Sequence, residues 1–291
     1  MSRITEYTAV SSTSGLTALD DGDVFIIDGT NGNFKITAKD LADALNDKFV
    51  KNAAAAPYIK DSIYRGANLG SGATFEAAST AAQRSAISSG TFEGLFIGDY
   101  WTVNGKVYRI ADFNYWLRIG STDFNTNHIV LVPDASFGND KMNDTNVTTG
   151  AYVGSYMYTD ENSVLNTART AIASAFGGYL ATHELYLPNA VSSGVESAGA
   201  WLDSTVDLMS EIMVYGDKIR NPGTLATSEK SQLALFRLSP RAVNTRYNYW
   251  LRDVVSAATF AIVLYLGNAT FYGASSSGGV RPAFAVKGSA S

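Results

Sequence analysis

The stretch Tyr100-Trp-Thr-Val-Asn-Gly-Lys-Val-Tyr-Arg-Ile sets Asn104-Gly105 between two apolar runs. An Asn-Gly pair accepts positive φ at both central positions of a type I′ turn, and the twist of that turn matches paired strands. The region Leu95–Phe113 is therefore committed to an antiparallel hairpin, and the rest of the chain must supply cover for a sheet. His128-Ile-Val-Leu-Val-Pro133 reads as a short buried strand closed by its proline. Asn162–Phe176 carries Val164, Leu165, Ala168, Ala171, Ile172 and Ala175 at helical spacing before Gly177-Gly178. Trp201–Tyr215 reads as a second helix, with Leu202, Val206, Met209 and Met213 as its buried stripe and Gly216 as its stop. From Tyr249 onward, aromatic and small residues alternate with Gly267, Gly273, Gly278 and Gly279, which predicts short strands and long loops. Helices between β segments predict an α+β domain over residues 91–291.

Residues 1–50 read as a small β-β-α module. Val24-Phe-Ile-Ile-Asp-Gly and Phe34-Lys-Ile-Thr are its strands, and a helix over Ala38–Asn46 follows Thr37 as N-cap. Two strands and one helix bury little surface, so the module is expected to lean on sister subunits or a docking partner. Residues 51–90 read as a linker or stalk: Ala53-Ala-Ala-Ala-Pro57 marks a joint, and a short helix from Thr74 ends at Gly90.

The chain has no cysteine, which excludes disulfides and thiolate metal sites. Its net charge of −5 argues against nucleic-acid binding. From Gln232 onward, however, six Lys/Arg face one acid, while the preceding segment sums to −10. Those arginines are either a weakly basic binding surface or internal hydrogen-bonding struts. No window approaches a membrane span, and Met1-Ser-Arg-Ile-Thr-Glu lacks the apolar core of a secretory signal. The expectation is a protein made in a cytoplasm, with no membrane insertion.

Catalytic signals are thin. Asp203, Asp207 and Glu211 share a face if their segment is helical, which would suit glycoside hydrolysis or a cation, or simply a solvated acidic face. His183-Glu184 lacks the second histidine of a zinc-protease helix, and there is no nucleophile elbow or phosphate loop. No cofactor, metal or catalytic residue is expected.

The most distinctive strings are Tyr249-Trp-Leu-Arg-Asp-Val and, further on, Gly278-Gly-Val-Arg-Pro-Ala-Phe284. Trp250, Arg252, Asp253, Arg281 and Pro282 read as scaffold, with a buried Arg252–Asp253 pair and a rigid stop before the last strand. The two strings resemble the C-terminal signature of C-type-lectin-like domains in phage tail and fibre proteins. Domains like sulfatase-modifying factors and the variable proteins of diversity-generating retroelements have the same general fold. Phe96-Ile-Gly-Asp-Tyr-Trp-Thr-Val-Asn-Gly, Met142-Asn-Asp-Thr-Asn and Gly199-Ala-Trp-Leu-Asp-Ser-Thr-Val-Asp-Leu-Met extend a similarity to virion proteins of phages of Clostridia-like gut bacteria over residues 90–291. Residues 16–45 resemble the N-terminal attachment segment of tail-fibre proteins.

The resemblance implies a virion subunit on the outer surface of the particle. Residues 1–50 would attach it to other virion proteins, and the C-terminal domain would bind a host-surface glycan or protein. It implies a non-enzymatic homo-oligomer, a trimer. A purely structural head-fibre, decoration or collar protein is the first alternative, and a glycan depolymerase using Asp203, Asp207 or Glu211 the second. In the diversified relatives, contact residues lie between the Trp string and the final strand. That stretch here contributes Tyr265, Asn268, Thr270, Phe271 and Tyr272, with Asn244, Tyr247 and Asn248 just before it. Phe260, Ile262 and Leu264 are expected in the core. The calcium-dependent sugar motifs of animal lectins are absent.

Overall fold

The computed structural model describes residues 24–29, 32–37 and 61–290 except 230. The chain divides into two compact units, residues 1–53 and 54–291. In the first, the two expected strands, β1 (Val24–Gly29) and β2 (Gly32–Thr37), form an antiparallel pair with Val24 opposite Thr37. The helix read over Ala38–Asn46 lies outside the described residues.

The second unit is α+β and mostly strand. In chain order it comprises β3 (Asn68–Gly72), α1 (Phe75–Ala78), α2 (Ala81–Ser89), β4 (Tyr100–Val103), β5 (Lys106–Phe113), β6 (His128–Pro133) and β7 (Asn139–Asp140). Then come α3 (Tyr156–Thr159), α4 (Val164–Phe176), β8 (His183–Ser192), β9 (Val195–Ser204), β10 (Val206–Leu208), α5 (Glu211–Tyr215) and α6 (Ala234–Leu238). The tail adds β11 (Tyr249–Ser256), β12 (Thr259–Val263), β13 (Ala269–Gly273), β14 (Gly278–Gly279) and β15 (Pro282–Lys287). One sheet runs β10-β15-β6-β5-β4-β3, a second runs β13-β12-β11-β14-β7, and β8-β9 form a separate ribbon.

The local signals act as physical chemistry requires. Asn104 and Gly105 both take positive φ, 46° and 77°, and turn β4 onto β5. All six residues of β6 are buried, because that strand lies inside the larger sheet between β5 and β15. Ser163 caps α4, which buries Leu165, Ala168, Ile172, Ala175 and Phe176 and stops at Gly177. Phe176 meets Phe75, Tyr108 and Phe284 at centroid distances of 5.4, 5.1 and 4.9 Å. This aromatic cluster joins α1 and α4 to β5 and β15, and truncating such a buried ring costs about 3–5 kcal/mol.

Residues 61–90, read from the sequence as linker, join this second unit. β3 pairs in parallel with β4, and Phe75 and Ile87 are fully buried. The single helix expected from Thr74 is broken at Ser79-Thr80. Ser79 Oγ donates to the Phe75 carbonyl, and Thr80 starts α2 with a reciprocal capping box to Gln83. The entry to the unit is clamped by Arg65. Its Nε and Nη2 donate to the buried Asp99 carboxylate at 3.0 and 2.6 Å, and Asp99 also accepts from the amides of Ala67 and Phe96.

The helix expected over Trp201–Tyr215 is a correction. Ser193 and Gly194 take positive φ and turn β8 onto β9, so residues 195–204 are used as a strand, with Leu202 opposite Leu185 and Trp201 opposite Tyr186. Val206, Met209 and Met213 are buried, but on a strand, a connection and a helix. The helix begins only where Ser210 accepts from the Met213 amide as N-cap.

Candidate functional site

The two C-terminal strings meet. Tyr249 of β11 pairs with Gly279 of β14, and the Trp250 indole donates to the Asp140 carbonyl at 2.7 Å. A Cβ on Gly279 would lie 2.6 Å from the Asn248 carbonyl oxygen, so only glycine permits this approach. Arg281 is 1% exposed. Its Nε and Nη1 donate to the carbonyls of Pro133 and Ala242 at 2.8 and 2.9 Å, and its guanidinium lies over Tyr249 and Phe236. Pro282 is buried opposite Leu208 at the start of β15.

The expected Arg252–Asp253 pair is not the one formed. Arg252 is buried in an ion pair with Glu229 and donates from Nη1 to the Leu208 carbonyl at 2.9 Å. Asp253 instead accepts from the Glu211 amide at 2.7 Å. Three acids, Glu196, Glu211 and Asp253, are buried here, and Asp253 lies close enough to raise the other two. Burial and the nearby Asp253 push Glu211 up to about 7, while burial raises Asp253 and, with Asp253 beside it, Glu196. Glu211 accepts from the amides of Ile219, Arg220 and Asn221, so it shapes the loop after α5.

Elsewhere in the core, burial and the neighbouring Asp61 lift Asp112 to about 7. Both histidines pack near Trp116, His183 stacked at 4.1 Å and His128 at 6.1 Å, and burial drives His128 and His183 down to about 3 and about 4. His183 belongs to a strand, and among the described residues no group of three or more His, Cys, Asp or Glu is placed to hold a metal ion.

The acids of the depolymerase alternative are dispersed. Asp203 is exposed on β9 and Glu211 is buried on α5. Asp207 on β10 is engaged by Arg169 at 2.7 Å, Tyr152 at 2.9 Å and Ser204. The helical face that would have aligned them does not exist.

The contact residues expected from the sequence gather along the β12–β13 hairpin and the loop before β11. The Arg246 amide donates to the Tyr265 carbonyl at 3.1 Å, and Asn248 Oδ1 accepts from the Tyr265 amide at 2.8 Å. The Leu264 amide donates to Asn268, and the Tyr215 hydroxyl donates to the Gly267 carbonyl, closing the tip. Tyr265 is 52% exposed, Leu266 59% and Phe271 46%; Asn244 and Asn268 are also exposed. Thr270 and Tyr272 are half-buried on β13, and Tyr272 packs on the core opposite Phe260. Asn248 and Tyr247 are better described as fasteners: the Tyr247 hydroxyl donates to the Asp134 carbonyl at 2.9 Å. Phe260 and Ile262 are fully buried as expected, whereas Leu264 is only half so.

Beside Asn244 lies a groove of about 250 Å³, lined by Tyr64, Arg109, Asp134, Arg241 and Arg281 among others. The sequence reading missed it, because its walls come from opposite ends of the unit. Its one legible trace was the excess of Arg in the tail. Comparison with family models, with curated proteins and with solved structures returns no match to this chain.

Proposed function

We propose that this chain is a phage virion fibre or receptor-binding-type protein. On this reading it is held through residues 1–50, and it binds a host-surface ligand with the β12–β13 hairpin of a C-type-lectin-like second unit. The observation that carries this is the concentration of exposed apolar surface. Three of the eight exposed large apolar side chains among the described residues, Tyr265, Leu266 and Phe271, sit on the one β12–β13 hairpin. Clustered exposed rings and aliphatics beside asparagines are a costly arrangement unless something covers them. Phe260 and Ile262, in the hairpin's inner strand, are fully buried, so the contact groups stand on a fixed base.

The test is replacement of Asn268, Thr270 and Tyr272 together by Ala. A folded, correctly assembled variant that no longer adsorbs to host cells supports recognition at this hairpin; unchanged adsorption removes it. The second reading is a structural head-fibre or collar piece, favoured by the position of β13 at a sheet edge, where an unpaired strand suits packing against another copy. Labelling of the intact particle with antibody against the second unit separates the two by position. Light scattering tests the proposed trimer, for which a monomer of 31.0 kDa is the adverse result.

A further inference from the structure

Arg241 stands in the short turn Pro240–Ala242, exposed, and among the described residues its side chain has no hydrogen-bond or ion-pair partner. It lines the 250 Å³ groove together with two other arginines whose donors are largely committed. Arg109 gives Nε and Nη2 to Asp134 at 2.6 and 2.7 Å and Nη1 to the Gly98 carbonyl at 3.0 Å. Arg281 is held by the Pro133 and Ala242 carbonyls. Among the described residues Asp134 is the only acid lining the groove, so three guanidiniums against one carboxylate leave it positive by two charges. Arg246, also exposed and without a side-chain partner among the described residues, stands a few residues further along the same loop.

A free guanidinium fork backed by a net fixed charge of +1, from Arg109 and Arg281 against Asp134, is matched by a planar or tetrahedral oxyanion, which it engages through two parallel hydrogen bonds. The other walls suit a polyhydroxylated ring. Ser239, Asn244 and Thr245 offer hydroxyl and amide groups, and Tyr64, 44% exposed, offers an aromatic face. The volume falls below the roughly 300 Å³ at which pockets for larger ligands begin, so one sugar ring fits and a folded ligand does not. We infer that this groove binds one acidic sugar residue of a surface glycan, with Arg241 holding its anionic group while the β12–β13 hairpin contacts the neighbouring residues. This deepens the recognition proposed above and rests on it.

The oxyanion has two sources in surface glycans, a uronate carboxylate and a phosphate ester. Calorimetry on the full chain with tri-galacturonate, a glycerol-phosphate oligomer and neutral maltotriose distinguishes them. Binding of either charged probe in preference to maltotriose is expected, weakening as salt is raised toward about 0.5 M. Arg241→Glu should lower that affinity by about tenfold or more, the loss expected for a charge-assisted bond, and Arg241→Lys by less. Preference for tri-galacturonate assigns a uronate and preference for the oligomer a phosphate; both support the inference. It is overturned if maltotriose binds as well as the charged probes, if neither charged probe binds, or if Arg241→Glu binds unchanged. Adsorption separates this inference from its premise. Arg241→Glu adsorbing normally while the Asn268, Thr270 and Tyr272 variant does not leaves recognition standing without the acidic sugar. Normal adsorption by both removes both.

Discussion

Arg252 and Arg241 belong to the same short stretch of chain and do opposite things. Arg252 is 4% exposed and neutralised by Glu229; Arg241 is exposed and has no ion-pair partner among the described residues. At the base of the β11–β13 region the buried Arg252 is engaged by Glu229 and the Leu208 carbonyl, while exposed Arg241 keeps its hydrogen-bonding capacity open among the described residues. Basic residues counted in a sequence therefore measure two quantities at once. In a chain without disulfides some arginines serve as cross-braces between loops, and only the remainder produce a field outside the molecule.

The largest expected effect tests the base. Arg252→Ala strands the Glu229 carboxylate in the interior and should cost about 3–5 kcal/mol in urea unfolding, while Arg241→Ala stays within about 0.5 kcal/mol. Equal costs would break the contrast. Gly279→Ala should cost about 1–3 kcal/mol, since its new methyl meets the Asn248 carbonyl at 2.6 Å and the strand must shift. An unchanged melting temperature would show that the two strings are not rigidly joined.

At the outer end, the Asn268, Thr270 and Tyr272 triple substitution should cost only about 1–2 kcal/mol, most of it from half-buried Tyr272. A loss as large as that of Arg252→Ala would move the hairpin into the frame. The smallest effect concerns protons. Asp112 holds its proton up to about 7 in the fold against an ordinary 3.8, so the stability it contributes is complete below that ordinary value and lost as pH rises through about 7. Asp112→Asn should therefore be less destabilising at about pH 8 than at about pH 5. A pH-independent cost would mean that Asp112 is ionised throughout.

Much of the fold was legible where a signal is local. Asn104-Gly105, the all-apolar run of β6 and the spacing of Val164–Phe176 each specify their element without help from elsewhere. Trp201–Tyr215 shows the limit. Its apolar residues do recur at helical spacing, but the positive-φ turn at Ser193-Gly194 had already engaged residues 195–204 with β8. Tertiary pairing overrode a periodicity, and the Ser-Gly dipeptide was the available warning. The outer hairpin was marked by its Tyr and Asn content. The groove was not, because Tyr64, Arg109 and Arg241 are distant in sequence and only folding assembles them. The partner of Arg252 escaped for the same reason: Asp253 is adjacent in the chain, yet Glu229, from a separate loop, is the residue that reaches it.

The parallel alignment of β3 with β4, and the Arg65–Asp99 clamp just ahead of it, have a mechanical consequence. Under the function proposed above, a pull on the start of the second unit would act on residues 61–72. Pulled along its axis, β3 loads its hydrogen bonds to β4 side by side, so they share the force instead of failing in succession. The bidentate Arg65–Asp99 contact takes the strain first, like a cleat ahead of a seam. The point of entry is thus arranged to resist shear.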